Sequence, residues 1–155
     1  MVRLSDLPDY EAQHLLAKNG APIGPPVWVR DTRPLSAKKF ALVTTAGIHP
    51  AGSEPFVGHD ATYRVLPDAG YSSAYAMSHS SVNFDRTGFQ EDINVVLPVE
   101  RFHELLEAGE IGGVAEHHFS FMGAGLEPPA FEQSVRKLGR LLRADGVDAA
   151  FLTPV

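Results

Sequence analysis

Between Lys39 and Thr45 the chain reads Lys-Phe-Ala-Leu-Val-Thr-Thr, an apolar run without alternation, and it opens at once into Ala46 and Gly47. A strand that is apolar at successive positions has to be covered on both faces, which is the condition of a parallel strand packed between helices. In open α/β sheets, ligands bind at the loops that follow the carboxyl ends of such strands. This one segment therefore predicts an α/β domain and says where its site should lie.

The remaining pattern extends that expectation. Ala74-Tyr-Ala-Met-Ser-His79 reads as a second buried strand and Val147–Leu152 as a last one. Tyr63–Leu66 predicts a short strand, Ile93–Leu97 a strand or an extended lead, and Ile111–Met122 a strand running into a histidine pair. The stretch 46–65 carries Gly47, Pro50, Gly52, Pro55 and Gly58 and reads as one long irregular loop. Asp9 to Gly20 predicts a capped helix. Pro98 opens another helix, with Phe102, Leu105 and Leu106 as its apolar face and Gly109 as its end. Pro128 and Pro129 open the last, with Phe131, Val135, Leu138 and Leu142 at helical spacing and Gly146 as its stop. Strands alternating with helices predict a three-layer, flavodoxin- or Rossmann-like sandwich with a mostly parallel sheet over 37–155. Residues 1–36 form a separate N-terminal piece, a helix and a proline-rich arm in which Trp28 covers the core of its own domain or anchors the arm to a partner.

Composition removes several function classes. A formal net charge of −6 supplies no basic face for nucleic acid or anionic membrane. No apolar run approaches the roughly 18 residues of a membrane span, and the N-terminus has no signal-peptide apolar region, so a cytoplasmic location is expected. The chain has no cysteine, and hence no disulfide, thiolate nucleophile or zinc–thiolate site. Its seven histidines are the reactive side chains left.

Five of them, His49, His59, His79, His117 and His118, fall in expected loops or strand ends on one side of the sheet, where imidazole can move protons or ligate metal. His117 and His118 are adjacent and would point to opposite faces of a strand. Thr44-Thr45-Ala46-Gly47 could present backbone N–H groups to a substrate carboxylate; it is neither a GxGxxG nor a P-loop, so a nucleotide is not indicated. Asp85, Glu91, Asp92 and Asn94 cluster before the Pro98 helix and would either hold a substrate ammonium, orient a histidine, or tie down their own loop. Ser78, Ser80 and Ser81 surround His79 without a G-x-S-x-G elbow, which argues against a hydrolase triad.

Taken together, Thr44-Thr-Ala-Gly-Ile-His49, Tyr63-Arg-Val-Leu-Pro67, Met77-Ser-His79, the run Asp92 to Leu105, Gly109 to Ala115 and His118-Phe-Ser-Phe-Met-Gly123 resemble, in order and spacing, a known family. It is the selenocysteine-bearing subunit (selenoprotein B) of the glycine, sarcosine, betaine and D-proline reductases. The short D-proline reductase type is most similar, and Pro25-Pro-Val-Trp28 has a counterpart there. The resemblance implies an oxidoreductase that cleaves a carbon–nitrogen bond reductively, with a selenolate as nucleophile and a pyruvoyl group on a partner subunit. It implies site residues at the matching positions: His49, His79 and Asp92 in catalysis, and Thr44, Thr45, Asn94, His118 and Gly123 around the substrate. It also implies that the selenocysteine follows Val155, so that this chain is truncated there, carries no cofactor of its own and is inactive alone. An apolar sheet flank exposed in that way predicts self-association. Two other readings stay open: a selenium-independent enzyme using His49, His79, His117 and His118 on a metal, and a non-catalytic scaffold subunit.

Overall fold

The protein is described from a computed structural model, which covers residues 3–17, 24–25, 28–68, 75–81, 84 and 86–155. Gly20, Val27, Ala74 and Asp85 lie outside the described residues. The chain divides into two compact units, 1–31 and 32–155. The first holds a 3₁₀ turn, Leu4–Asp6, and the helix α1, Asp9–Leu16. Pro8, not Asp9, stands at its N-cap, and the carbonyl of Pro8 accepts from Glu11 and Ala12. Trp28 is 80% exposed, so it is not a core-covering residue.

The second unit is built on β1 (Lys39–Thr44), β3 (Tyr63–Pro67), β5 (Gly113–Val114), β6 (His117–Phe121) and β7 (Ala149–Thr153), one five-stranded sheet. Phe40 pairs with both Val114 and Ala149, and Val43 with both Phe119 and Leu152. A strand has two edges, so β5 and β6 follow one another along one edge of β1 while β7 takes the other. All three pair with β1 in parallel; β3 lies antiparallel on the far side of β6. The sheet is thus mixed and mostly parallel, as an α/β reading requires, with β3 the exception. Among the described residues nothing pairs with the outer edge of β7.

Side-chain alternation then fixes two faces. One carries Phe40, Leu42, Thr44, Leu66, His118, Ser120 and Phe151. It is covered by α3 (Val99–Glu107), whose Phe102 ring lies 5.6 Å from Phe40 and 5.1 Å from Phe151. The other face carries Val43, Phe119 and Phe121 under α4 (Glu132–Ala144), through Leu138 and Leu142. Helices do cover both faces. Val99 and Phe102 are the buried residues of α3, while Leu105 and Leu106, toward its carboxyl end, are exposed, so of the expected face only Phe102 is in the core. Gly109 and Gly146 end their helices with φ of +72° and +68°.

Three expected elements change. Residues 46–65 are not wholly irregular: β2 (Ile48–Pro50) forms within them and pairs antiparallel with β4 (Tyr75–Met77). This two-stranded ribbon packs on the Leu42 face through Ile48, Tyr75 and Met77, so the segment expected as a second buried sheet strand lies outside the main sheet. Ile93–Val95 is a 3₁₀ turn, preceded by the short helix α2 (Thr87–Glu91). Its inward residues, Ile93, Val96 and Leu97, are apolar because they seat that turn in the core.

A closed carboxyl edge and a histidine–serine pair

At the exit of β1 the chain is held by its own hydrogen bonds. The Thr45 N–H donates to the Thr153 carbonyl at 3.1 Å, Ala46 to Thr44 Oγ1 at 3.1 Å, Gly47 to the Phe121 carbonyl at 2.9 Å and Ile48 to Ser120 Oγ at 2.8 Å. Every N–H from 45 to 48 is engaged, so the expected anion cradle is absent; the turn is a knot joining β1, β6 and β7. Thr45 is its centre. Its Oγ1 accepts the Val155 N–H at 2.8 Å and its carbonyl accepts the Gly123 N–H at 3.0 Å. A Cβ on Gly123 would lie 2.8 Å from Thr45 Cβ, closer than two carbons approach, so only glycine fits this crossing. At Gly47, φ +67°, a Cβ would lie 3.1 Å from the His79 backbone nitrogen, and the Gly47 carbonyl accepts the Ser78 N–H at 2.9 Å.

His49 and His79 are brought to this edge by β2 and by the end of β4, and both are buried. His49 Nε2 lies 2.7 Å from Ser78 Oγ, and Nδ1 lies 3.1 Å from the Pro50 carbonyl and 3.3 Å from Ser53 Oγ. His79 accepts the Ser81 N–H at Nδ1, 3.2 Å, so a neutral ring carries its proton on Nε2, a buried atom with no partner among the described residues. Burial, and then the Arg86 guanidinium bonded to the His79 carbonyl, hold its pKa below the ordinary imidazole value.

The other expected site residues are placed elsewhere. His59 sits in an exposed turn at φ +62°, with Nδ1 3.1 Å from the Gly125 carbonyl. His117 is exposed on the α4 face, and His118, on the other, is fully buried within the sheet rather than at its edge. The register explains His118. Partners across β1 differ by 74 positions at Lys39 and Phe40 but by 76 at Val43 and Thr44, so β5–β6 carries two extra residues as a bulge. His118 Nδ1 accepts the Leu42 N–H at 3.2 Å across that break in the ladder. Its Nε2 lies 3.9 Å from Asp68, whose carboxylate is bonded to His103 Nε2 at 2.8 Å. Burial drives the His118 pKa down to about 4 despite Asp68. Asp92 and Asn94 are bound to each other. Asp92 accepts the N–H and the side-chain amide of Asn94, both at 2.8 Å, which holds its pKa below the usual carboxylate range. Asn94 in turn accepts the Glu100 N–H at 3.1 Å, so the pair caps α3 and does not orient a histidine.

Among the described residues no three histidine, aspartate or glutamate side chains are grouped to share a metal, and the four-histidine set is dispersed over both faces. No described helix is long and apolar enough to cross a membrane. Beside the knot, on the α4 face, runs an apolar groove of about 550 Å³ lined by Val43, Phe121, Leu138, Leu142, Ala150 and Leu152. Neither the groove nor the Asp68–His103 contact is legible in the sequence, since both arise where distant segments meet.

The profile of the glycine/sarcosine/betaine reductase selenoprotein B family matches residues 18–155. The chain belongs to that family. It is 34% identical over 131 residues to the D-proline reductase subunit gamma of Acetoanaerobium sticklandii, covering 83% of this chain and 53% of the relative. It is 29% identical over 136 residues to the glycine reductase complex component B subunit gamma of Symbiobacterium thermophilum, covering 85% of this chain and 30% of the relative. To the sarcosine reductase complex component B subunit beta of Peptoclostridium acidaminophilum it is 28% identical over 123 residues, 77% of this chain and 28% of the relative. The chain thus spans about half the length of the first of these selenoprotein B relatives and under a third of the others. No solved structure matches it.

Proposed function

We infer that this chain works as a subunit of a multi-subunit reductase, as the names of its relatives say of them, and that the reaction splits the carbon–nitrogen bond of a small amine or amino acid with a selenol as nucleophile. The observation that carries the reading is the family match across 18–155, which includes the whole carboxyl edge. The donor set suits that chemistry. Val155 is held to Thr45 at the carboxyl edge, and a selenocysteine borne just beyond would supply a nucleophile ionised at neutral pH.

The chain's own residues then have these parts. Thr45 and Gly123 hold the strand that brings the nucleophile, and Thr44 fixes the turn behind it. His79, kept neutral with its proton on Nε2, offers a hydrogen bond from a buried ring, and His49 exchanges protons. Substrate is loaded by a partner subunit bearing a pyruvoyl group. The exposed apolar strand β7 and the groove beside it support a homo-oligomer, in keeping with the tendency of such patches to be covered. The assembly is cytoplasmic.

Reading the DNA beyond codon 155 tests the selenol. The expected result is an in-frame UGA followed by an open frame for a further α/β segment. Any other stop codon, or a sense codon for a residue other than cysteine, overturns that part of the reading.

A further inference from the structure

His49 and Ser78 are 29 positions apart and meet because β2 and β4 pair. His49 stands opposite Ala76, so Ser78 is its diagonal neighbour on the same face of the ribbon. The protons between them can be counted. Ser53 Oγ has one proton and a near acceptor in the Pro50 carbonyl at 2.7 Å, so it has none for His49 Nδ1 at 3.3 Å. The Pro50 carbonyl only accepts, and it faces Nδ1 at 3.1 Å, so Nδ1 carries the hydrogen. A neutral imidazole has only one. Nε2 is therefore a lone pair, and Ser78 donates its hydroxyl proton to it across 2.7 Å. With both ring nitrogens engaged and the residue 5% exposed, His49 has no direct access to a substrate. Ser78 is only half-buried, and its hydroxyl links the Nε2 lone pair to the surface.

We propose that Ser78 and His49 are a proton-transfer pair in which Ser78 is the catalytic residue touching the substrate's nitrogen and His49 is the reservoir behind it. The substrate class, a small amine, rests on the reductase reading above. A substrate ammonium gives one N–H proton to Ser78 Oγ while the Ser78 proton passes to His49 Nε2, leaving a neutral amine and an imidazolium. When the selenolate of the reductase reading bonds to the carbon, the carbon–nitrogen bond breaks and its electron pair stays on nitrogen. That nitrogen takes the proton back through Ser78 as His49 returns to its Nδ1–H form, so the pair ends as it began.

Two measurements test this on the chain extended through its selenocysteine. Nitrogen-15 NMR of the imidazoles, at a pH where the ring is neutral, should show His49 as the Nδ1–H tautomer; a dominant Nε2–H tautomer overturns the pair. In the reconstituted reductase, Ser78→Ala should lower kcat about 100-fold with little change in KM, the scale of lost general acid–base catalysis, and Ser78→Thr should restore most of the rate. An unchanged kcat in Ser78→Ala overturns the proposal and leaves the reductase reading intact. If the wild-type chain neither joins the complex nor supports turnover, the reductase reading fails and the substrate assignment falls with it, while the tautomer measurement still decides the pair.

Discussion

His118 shows how a reactive residue type becomes structural. The sequence says that adjacent histidines on a strand point to opposite faces, and they do. It does not say that a two-residue bulge will set one of them across from the unpaired Leu42 N–H, because the bulge exists only in the pairing of β1 with β5 and β6. The consequence is measurable. The folded pKa of about 4 lies below the unfolded value of 6.5, so between these limits the unfolded chain binds more protons, and stability falls as pH falls through that window. His118 alone contributes on the order of 3 kcal/mol across it, and buried His79 acts in the same direction. Urea unfolding at pH 7.5 and pH 5 should show a clear loss for the wild type and a smaller one for His118→Gln, whose amide oxygen can still accept from Leu42. An equal loss in both proteins would contradict this role. The Thr44–Gly47 turn makes the complementary point: its composition suits an anion cradle, and only the partners of its N–H groups show that none is open.

At the scale of elements, β1, β3, α3, α4 and β7 were legible because each carries a period or a stop signal of its own. Of the expected apolar face of α3, only Phe102 is buried. Phe102, Leu105 and Leu106 satisfy helical spacing, but the helix buries only its amino-terminal part, Val99 and Phe102, and leaves its last turn exposed. Phe102→Ala should therefore cost about 3–5 kcal/mol, the range for deleting a buried aromatic ring, whereas Leu105→Ala should cost within about 1 kcal/mol as a surface change. Chemical denaturation of the two variants side by side checks the assignment; equal losses would place the helix the other way round. Of the ribbon, β4 lies within the strand expected at 74–79, whereas β2 and its pairing were not legible, since a strand of three residues carries too little periodicity to be told from loop. That matters, because this ribbon is what joins His49 to Ser78.

For the whole molecule, family membership and the mixed, helix-covered sheet agree with the blocks of sequence that suggested them, from Thr44–His49 to His118–Gly123. The free outer edge of β7 and the groove beside α4 are properties of the assembled domain, and they present an apolar surface that a complex would cover. The proposed role of this chain is that of a working part of a carbon–nitrogen reductase assembly. Affinity purification of the chain from its native cells, with mass spectrometric identification and quantification of what accompanies it, tests that directly. The other reductase subunits, one bearing a pyruvoyl group, are expected in near-stoichiometric amount. Recovery of the chain alone, or only with proteins unrelated to such a reductase, would contradict it.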